Sequence, residues 1–171
     1  MEIKLAETVS KSEIFLRIQN YLEQQGFVII NSDETRPWGG FFVIDENQSQ
    51  KFVDFFFKDV PDSDKSNEGK ISPKILVVAK GKRLSWQYHH RRAELWKVVF
   101  GKVGVVKSEN DEENEVQTKN EGDVIVLKKG ERHRLLGLES WGVLAEIWKH
   151  TDKNYPSDED DIVRVQDDFG R

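Results

Sequence analysis

The sequence predicts an all-β sandwich or barrel preceded by a single helix. One stretch with helical periodicity lies near the N-terminus, and from residue 27 onward short runs of β-branched and aromatic residues alternate with turn residues. Many short strands separated by turn signals are typical of sandwiches and barrels. A chain of 171 residues is long enough to form one domain with a substantial core.

The helix is predicted by the residues around its start. Ser10 and Glu13 have the spacing of a capping box, and Val9 and Ile14 are placed as a hydrophobic staple. Gly26 then provides a stop signal. Between these ends, the apolar residues that share one helical face are Ile14, Phe15, Ile18 and Leu22. We therefore expect a helix from about residue 11 to about residue 25.

The strands follow as eight apolar runs bounded by Gly, Asn, Asp or Lys. They cover residues 27–30, 40–44, 52–57, 75–78, 96–100, 103–106, 124–127 and 143–147. Two polar stretches, 62–69 and 108–114, predict mobile hairpin loops. The second loop is expected to join the strand after Gly101 to the strand before Gly122.

Composition excludes several classes of protein. No apolar run approaches the roughly 20 residues of a membrane span, and residues 1–5 lack the start of a signal peptide, so we expect a soluble cytoplasmic protein. The net charge of −5, with acidic clusters at 109–115 and 158–161, disfavours a nucleic-acid partner. Without cysteine, nitrogen and oxygen donors are left for any metal ion.

Four polar residues have spacings suited to a metal site. Gln87 and His89 are two residues apart, so on a strand both side chains point to one face. A turn before Glu94 would bring a second, antiparallel strand back beside them, and His133 follows a turn that contains glycine. Imidazole nitrogen and carboxylate oxygen are ordinary ligands of divalent first-row metals, and an open coordination position makes such a site catalytic.

These spacings resemble the two motifs of the cupin family. The first motif corresponds to Gly81, Gln87 in place of a histidine, His89, Glu94 and Gly101. The second corresponds to Gly122, Lys128 in place of a proline, Gly130 and His133. The resemblance implies a double-stranded β-helix, the jelly-roll barrel of cupins. It also implies that Gln87, His89, Glu94 and His133 hold a metal ion.

A longer series of matches resembles the type II mannose-6-phosphate isomerases, usually found as the C-terminal domain of bifunctional guanylyltransferase/isomerase enzymes. The matching segments are 36–39 (Arg-Pro-Trp-Gly), 85–96, 133–135, 159–164 and 167–171. They assign residues 36–171 to the cupin domain and leave residues 1–35 as a helical and strand extension. The Gly-rich nucleotidyltransferase signature does not occur in the sequence, so we expect the isomerase module alone.

The resemblance implies a metal-dependent isomerase that interconverts mannose 6-phosphate and fructose 6-phosphate, with one divalent ion per chain. Zinc is expected, and iron, manganese, cobalt or nickel would suit the same ligands. A homodimer is also implied. The candidate substrate-binding residues are Arg36, Trp38, Arg92 and Arg134.

The candidate catalytic residues are Arg92, to stabilise charge, and Glu146, to move a proton. A lysine or a water molecule could serve as the base instead. The C-terminal segment is expected to fold back over the barrel, with Arg164 paired to a carboxylate.

Some positions depart from the family pattern. Arg91 and Leu95 stand where histidines are usual, Lys128 replaces a proline, and an asparagine is missing near Gly137. These departures motivate an alternative, a non-catalytic cupin that binds a metal and a sugar as a sensor or accessory module. A third interpretation, metal-dependent oxygenation, is mildly disfavoured by Gln87 in place of the first histidine.

Overall fold

A computed structural model of the chain describes residues 9–65 and 69–171. The expectation for residues 1–5 and the centre of the predicted 62–69 loop lie outside the described residues. Two antiparallel sheets face each other. The first has the order β1 (Ile29–Asp33), β2 (Gly39–Ile44), β3 (Lys74–Val78), β10 (Gly142–His150), β5 (Arg92–Phe100), β8 (Val124–Leu127). The second has the order β11 (Val163–Gln166), β4 (Trp86–Tyr88), β9 (Arg132–Gly137), β6 (Val103–Ser108), β7 (Gln117–Lys119).

The space between the sheets holds one of two hydrophobic cores. Alternate residues of each strand point into it, as the period of a β-strand requires. Its buried side chains are Leu76, Val78, Trp96, Val98, Val103, Val105, Ile125, Leu127, Leu135 and Leu144. The predicted all-β barrel is confirmed by these two packed sheets.

The second core lies between the helices and the outer face of the six-stranded sheet. Helices α1 (Lys11–Gln24) and α2 (Ser49–Phe56) supply buried residues to it, and β3, β5 and β10 supply the residues of their outer faces. This coverage explains why every residue of β3 is buried. The predicted first helix is confirmed: the Glu13 N–H donates to Ser10 Oγ at 3.2 Å, and Val9 packs against the core.

The strand predicted at 52–57 is wrong, because these residues lie mostly in α2. A 3₁₀ turn at Glu46–Gln48 leads into this helix, and a short helix α3 (Asp62–Lys65) follows it. Phe52 and Phe56, four residues apart, are buried on the same helical face, with ring centroids 4.7 Å apart. Aromatic residues favour strands, but here the helical spacing of the buried rings outweighs that preference.

The predicted hairpin between the first two ligand strands is also wrong. β4 belongs to the five-stranded sheet and β5 to the six-stranded sheet, so residues 89–91 cross from one wall of the barrel to the other. The loop after β6 leads to β7, which lies before Gly122 as expected although its residues are not among the eight predicted runs, and β8 comes next. The crossing places Glu94 opposite His89 and His133 across the barrel interior.

The C-terminal strap, defined as residues 151–171, folds back over the barrel as predicted. Its strand β11 pairs antiparallel with β4, with Arg164 opposite Gln87. Residues 9–35 also join the main body, since α1 packs in the outer core and β1 pairs with β2. Among the helices of the described residues, none combines the length and apolar character that crossing a membrane requires.

Candidate metal centre

Three side chains converge inside the barrel. His89 lies directly after β4, Glu94 on β5 and His133 on β9, and their exposed fractions are 2%, 2% and 1%. His89 Nε2 is 3.2 Å from Glu94 Oε1, and His133 Nε2 is 3.5 Å from Glu94 Oε2. One potential ligand atom from each residue lies within 4.8 Å of the others. The structure thus brings three of the four predicted ligands together.

Backbone carbonyls orient both imidazoles. His89 Nδ1 is 2.5 Å from the Asp161 carbonyl oxygen, and His133 Nδ1 is 2.9 Å from that of Glu131. A carbonyl oxygen can only accept a hydrogen bond, so each Nδ1 carries the proton. Nε2 is therefore the ring nitrogen of each histidine that faces Glu94, and it presents a lone pair there when the imidazole is neutral.

Two of the converging atoms lack hydrogen-bond partners in the part of the chain that the structure describes. They are Glu94 Oε2 and His133 Nε2, both buried. An unpaired buried polar atom costs about 1–3 kcal/mol, and more when it is charged. A cation between these lone pairs would remove that cost. The residues therefore fit a divalent metal ion with nitrogen and oxygen ligands.

The turn before β9 fixes the place of His133. Gly130 has a φ of +76°, a left-handed conformation that suits glycine, and its N–H donates to the His89 carbonyl at 3.0 Å. The next residue, Glu131, supplies the carbonyl that orients His133. The glycine of the second motif thus positions both histidines.

Gln87 lies beside this cluster. It pairs with His133 across β4 and β9, so the two side chains share a face of the sheet. Its Oε1 accepts a hydrogen bond from Ser85 Oγ at 2.6 Å, which leaves a second lone pair on the oxygen. The role of Gln87 as a fourth ligand stays a prediction.

Arg92 contacts the ligand residues themselves. Its Nε donates to Glu94 Oε1 at 2.8 Å, and one terminal nitrogen lies 3.2 Å from His89 Nε2. The guanidinium stacks 3.7 Å from the ring centroid of Trp148. Burial alone would raise the pKa of Glu94, but the nearby His89 and Arg92 hold it well below its usual value.

Glu146 is the second buried carboxyl group of the site. Its two oxygens accept hydrogen bonds from the indoles of Trp96 at 2.9 Å and Trp148 at 3.0 Å. Burial, followed by the charge of Glu94, raises the pKa of Glu146 to about 7, although Lys74 and Arg92 act in the opposite direction. This carboxyl group can therefore take up and release a proton near neutral pH.

A pocket opens from these residues toward the surface. Gln87, Arg92, Glu94 and Glu146 line its inner part. Aromatic rings and cations line the rest, among them Trp38, Phe41, Trp148, Arg36, Lys74, Arg164 and Arg171. Arg36 and Trp38 are thus placed at the pocket, as the sequence predicts, and Trp38 is buried in its wall.

Arg134 is not brought to the pocket. It follows His133 on β9, so its side chain leaves the opposite face of the strand. The buried guanidinium donates to Glu113 at 2.5 Å, to the Leu84 carbonyl at 2.9 Å and to Gln166 of the C-terminal strap. These contacts tie the strap to β9.

The carboxylate partner predicted for Arg164 is wrong. Within residues 9–65 and 69–171, its side chain forms no ion pair or hydrogen bond, and it lies exposed at the rim of the pocket. Partial desolvation lowers the pKa of Arg164, and the charges of Arg171 and Arg36 lower it further. Ile162 and Arg164 both line the pocket. Their spacing of two residues could have predicted that Arg164 points into the pocket rather than toward a carboxylate.

The residues that depart from the family pattern lie away from the ligand atoms. Leu95 points to the outer core beneath the helices. Arg91 turns to the strap and pairs with Asp158 at 3.0 Å, and Lys128 is exposed. The departures therefore leave the three converging side chains unchanged.

Two proteins of polysaccharide biosynthesis are similar to this chain in sequence. The chain is 34% identical over 137 residues to the xanthan biosynthesis protein XanB of Xanthomonas campestris pv. campestris. It is 30% identical over 136 residues to the alginate biosynthesis protein AlgA of Pseudomonas aeruginosa. Each match covers 80% of this chain but only 23% and 22% of the relatives, so the chain spans under a quarter of their length.

A solved structure, CapF with the inhibitor 3-isopropenyl-tropolone, is similar with a TM-score of 0.50 and 17% identity, over 81% of this chain and 34% of CapF. That similarity concerns the fold alone, and the two antiparallel sheets agree with the expected jelly-roll barrel. The family model described as mannose-6-phosphate isomerase C-terminal matches residues 59–167, a span that includes Gln87, His89, Glu94 and His133. The chain therefore belongs to the family of mannose-6-phosphate isomerase C-terminal domains.

Proposed function

We propose that the protein is a metal-dependent aldose–ketose isomerase of sugar phosphates, with mannose 6-phosphate and fructose 6-phosphate as its substrate pair. One observation carries the proposal: the pocket that reaches Glu94 of the metal cluster also holds Glu146, a buried carboxyl group with a pKa of about 7. An isomerase of this kind needs both a Lewis acid and a group that shuttles a proton between two carbons.

His89, Glu94 and His133, with Gln87, would hold the metal ion. When bound, the ion would polarise the oxygens on C1 and C2 of the open-chain sugar as a Lewis acid. Zinc is our first choice, and Fe, Mn, Co or Ni suit the same ligands.

Glu146 would move the carbon-bound proton. Its carboxylate takes the proton from C2 of the aldose and returns it to C1, while the hydroxyl proton passes from O2 to O1. A base works best when its pKa is close to the operating pH, and a pKa of about 7 meets this condition. The indole N–H groups of Trp96 and Trp148 hold the carboxylate in place at the pocket wall. Each carboxylate oxygen keeps a further lone pair that can accept the proton.

The rim of the pocket would bind the phosphate. Arg164 offers a guanidinium that is unpaired among the described residues, and Arg36 and Arg171 lie close enough to affect its pKa. Guanidinium groups bind phosphate through paired N–H donors. In this proposal the phosphate stays at the rim and carbons 1 and 2 reach Glu146.

Isotope exchange tests the proposal directly. Metal-loaded protein incubated with mannose 6-phosphate in deuterated water should form fructose 6-phosphate and place deuterium on C1 or C2. Glu146→Gln should abolish both signals while metal content is retained, whereas Glu159→Gln, a change of an exposed rim carboxylate, should keep them. Fully metal-loaded wild type that shows neither exchange nor interconversion with any common hexose or pentose phosphate would refute the isomerase proposal.

The alternative, a non-catalytic metal- and sugar-binding module, is favoured by one observation. The guanidinium of Arg92 lines the pocket but is bonded to Glu94 and His89 and stacked on Trp148, so most of its N–H donors are already engaged within the protein. Calorimetry combined with the isotope-exchange assay separates the two functions. A sugar phosphate that binds the metal-loaded protein but takes up no deuterium supports the binding module. The homodimer and the cytoplasmic location stay predictions.

A further inference from the structure

The C-terminal strap makes one contact with the metal cluster that the proposed chemistry does not use. His89 Nδ1 donates to the main-chain carbonyl of Asp161 over 2.5 Å, and both residues are buried. We infer that Asp161 is a positioning residue of the metal centre, which sets metal affinity by holding the His89 imidazole. The inference rests on the metal-binding part of the proposed function.

The Asp161 side chain holds that carbonyl in place. One carboxylate oxygen accepts the His90 N–H at 2.9 Å. The other accepts the Arg91 N–H at 3.0 Å and the Ser157 hydroxyl at 2.6 Å. Asp161 therefore bonds three successive residues of the crossing segment, through its carbonyl to His89 and through its carboxylate to the next two.

This arrangement decides which nitrogen of His89 can bind a metal. With Nδ1 protonated and bonded, only Nε2 carries a lone pair, and it points toward Glu94. If the carbonyl moves away, the ring gains freedom to rotate and to exchange its tautomer, and both changes work against coordination. Loss of such an outer contact costs about 10–100-fold in metal affinity in well-studied sites.

The strap offers a matched control. Asp168 docks the same segment through its carboxylate, which accepts from Arg83 Nε at 2.6 Å and from Gln166 at 2.8 Å. Its carboxylate has no bond to His89 or to the 89–91 crossing among the described residues. Asp168→Asn should therefore loosen the strap without moving the imidazole.

The test is zinc affinity, measured by competition with a chromophoric chelator on folded, metal-free protein. We expect Asp161→Asn to bind zinc about 10–100-fold more weakly than wild type, and Asp168→Asn to stay near the wild-type value. Ser157→Ala removes one bond to the Asp161 carboxylate and one from Arg92. It should weaken zinc binding by a smaller factor and replaces Asp161→Asn if that variant does not fold.

Nitrogen-15 spectra of the histidine rings provide a second readout. Metal-free wild type should show His89 protonated at Nδ1. Wild-type zinc affinity in Asp161→Asn, or a wild-type His89 protonated at Nε2, would overturn this inference alone. Failure of wild type to bind zinc would overturn the metal centre as well, whereas absence of isomerase activity would leave the role of Asp161 intact.

Discussion

Glu146 shows at the residue scale how burial changes a carboxyl group. Its pKa of about 7 lies above the ordinary value of 4.5, so the folded protein keeps a proton that the unfolded chain has already released. The unfolded state therefore binds fewer protons between these values. By linkage, wild-type stability falls as the pH rises from about 4.5 to about 7.

Glu146→Gln removes this pH dependence because the amide cannot ionise. We expect the variant to gain stability relative to wild type as the pH rises, by up to about 3 kcal/mol between pH 4.5 and pH 7. Urea unfolding of both chelator-treated proteins at several pH values measures this difference in unfolding free energy. Glu112→Gln, a change at an exposed site, serves as the control, and parallel pH profiles for wild type and Glu146→Gln would contradict the raised pKa.

Arg92 is a second residue where geometry matters more than charge. Its fork bonds Glu94, Ser157 and His89, and lysine would keep the charge but lose the fork. A hydrogen bond to a charged group contributes about 1.5–3 kcal/mol, so Arg92→Lys should lower kcat/KM by about tenfold or more. Steady-state kinetics of Arg92→Lys and of the control Arg91→Lys measures this effect. Equal loss of kcat/KM in both variants would show that the fork geometry of Arg92 has no specific role.

The convergence of His89, Glu94 and His133 was predictable from the motif spacing, although the hairpin expected to place Glu94 proved to be a crossing between the sheets. Asp161 was not, since its contact with His89 runs through a backbone carbonyl, and any residue type carries one. The prediction that Arg134 binds the substrate failed because its side chain is not in the pocket. Arg134 stands beside a ligand in the chain, but neighbouring residues on a strand point to opposite faces.

Helix α2 shows at the element scale where pattern and propensity diverge. The run at 52–57 is rich in phenylalanine and predicts a strand, yet Phe52 is fully buried and Phe55 is 38% exposed, as a helix requires. The α1 prediction succeeded because a capping box and a stop glycine bound it. The crossing at 89–91 escaped prediction because nothing local distinguishes a hairpin from a change of sheet.

Truncation of the two phenylalanines tests the helical assignment. Phe52 packs against Phe27 and Phe56, so Phe52→Ala should cost about 3–5 kcal/mol of unfolding free energy. Phe55→Ala should cost clearly less, because its ring is partly in solvent already. Chemical denaturation of both variants measures the difference. Equal costs would argue that the two rings are equally buried.

At the scale of the whole molecule, the metal centre links the two sheets. Glu94 belongs to the six-stranded sheet and His133 to the five-stranded sheet, and His89 directly follows β4 of the five-stranded sheet. A ligand that binds only the folded state stabilises it by about 2.7 kcal/mol at a hundredfold excess over its Kd. Zinc occupancy should therefore add to the free energy that holds the barrel closed.

Zinc should raise the Tm of wild type, and a chelator should reverse the increase. His133→Ala removes one of the converging ligands and should abolish the shift along with the bound metal, as measured by calorimetry and elemental analysis. His90→Ala, beside a ligand but exposed, should behave as wild type. The same metal content in all three proteins would refute the ligand assignment.

The crossing of the chain between the sheets also has a kinetic consequence. The nearest ligands in sequence, His89 and Glu94, lie on opposite walls, and three further strands, β6 to β8, separate them from His133 in the sequence. A complete set of ligands therefore requires both walls of the barrel to be in place, and we expect it to form after the folding transition state. Interactions that form after the transition state change the unfolding rate and leave the folding rate nearly unchanged. Bound zinc should leave the folding rate nearly unchanged and slow the rate at which the two walls separate.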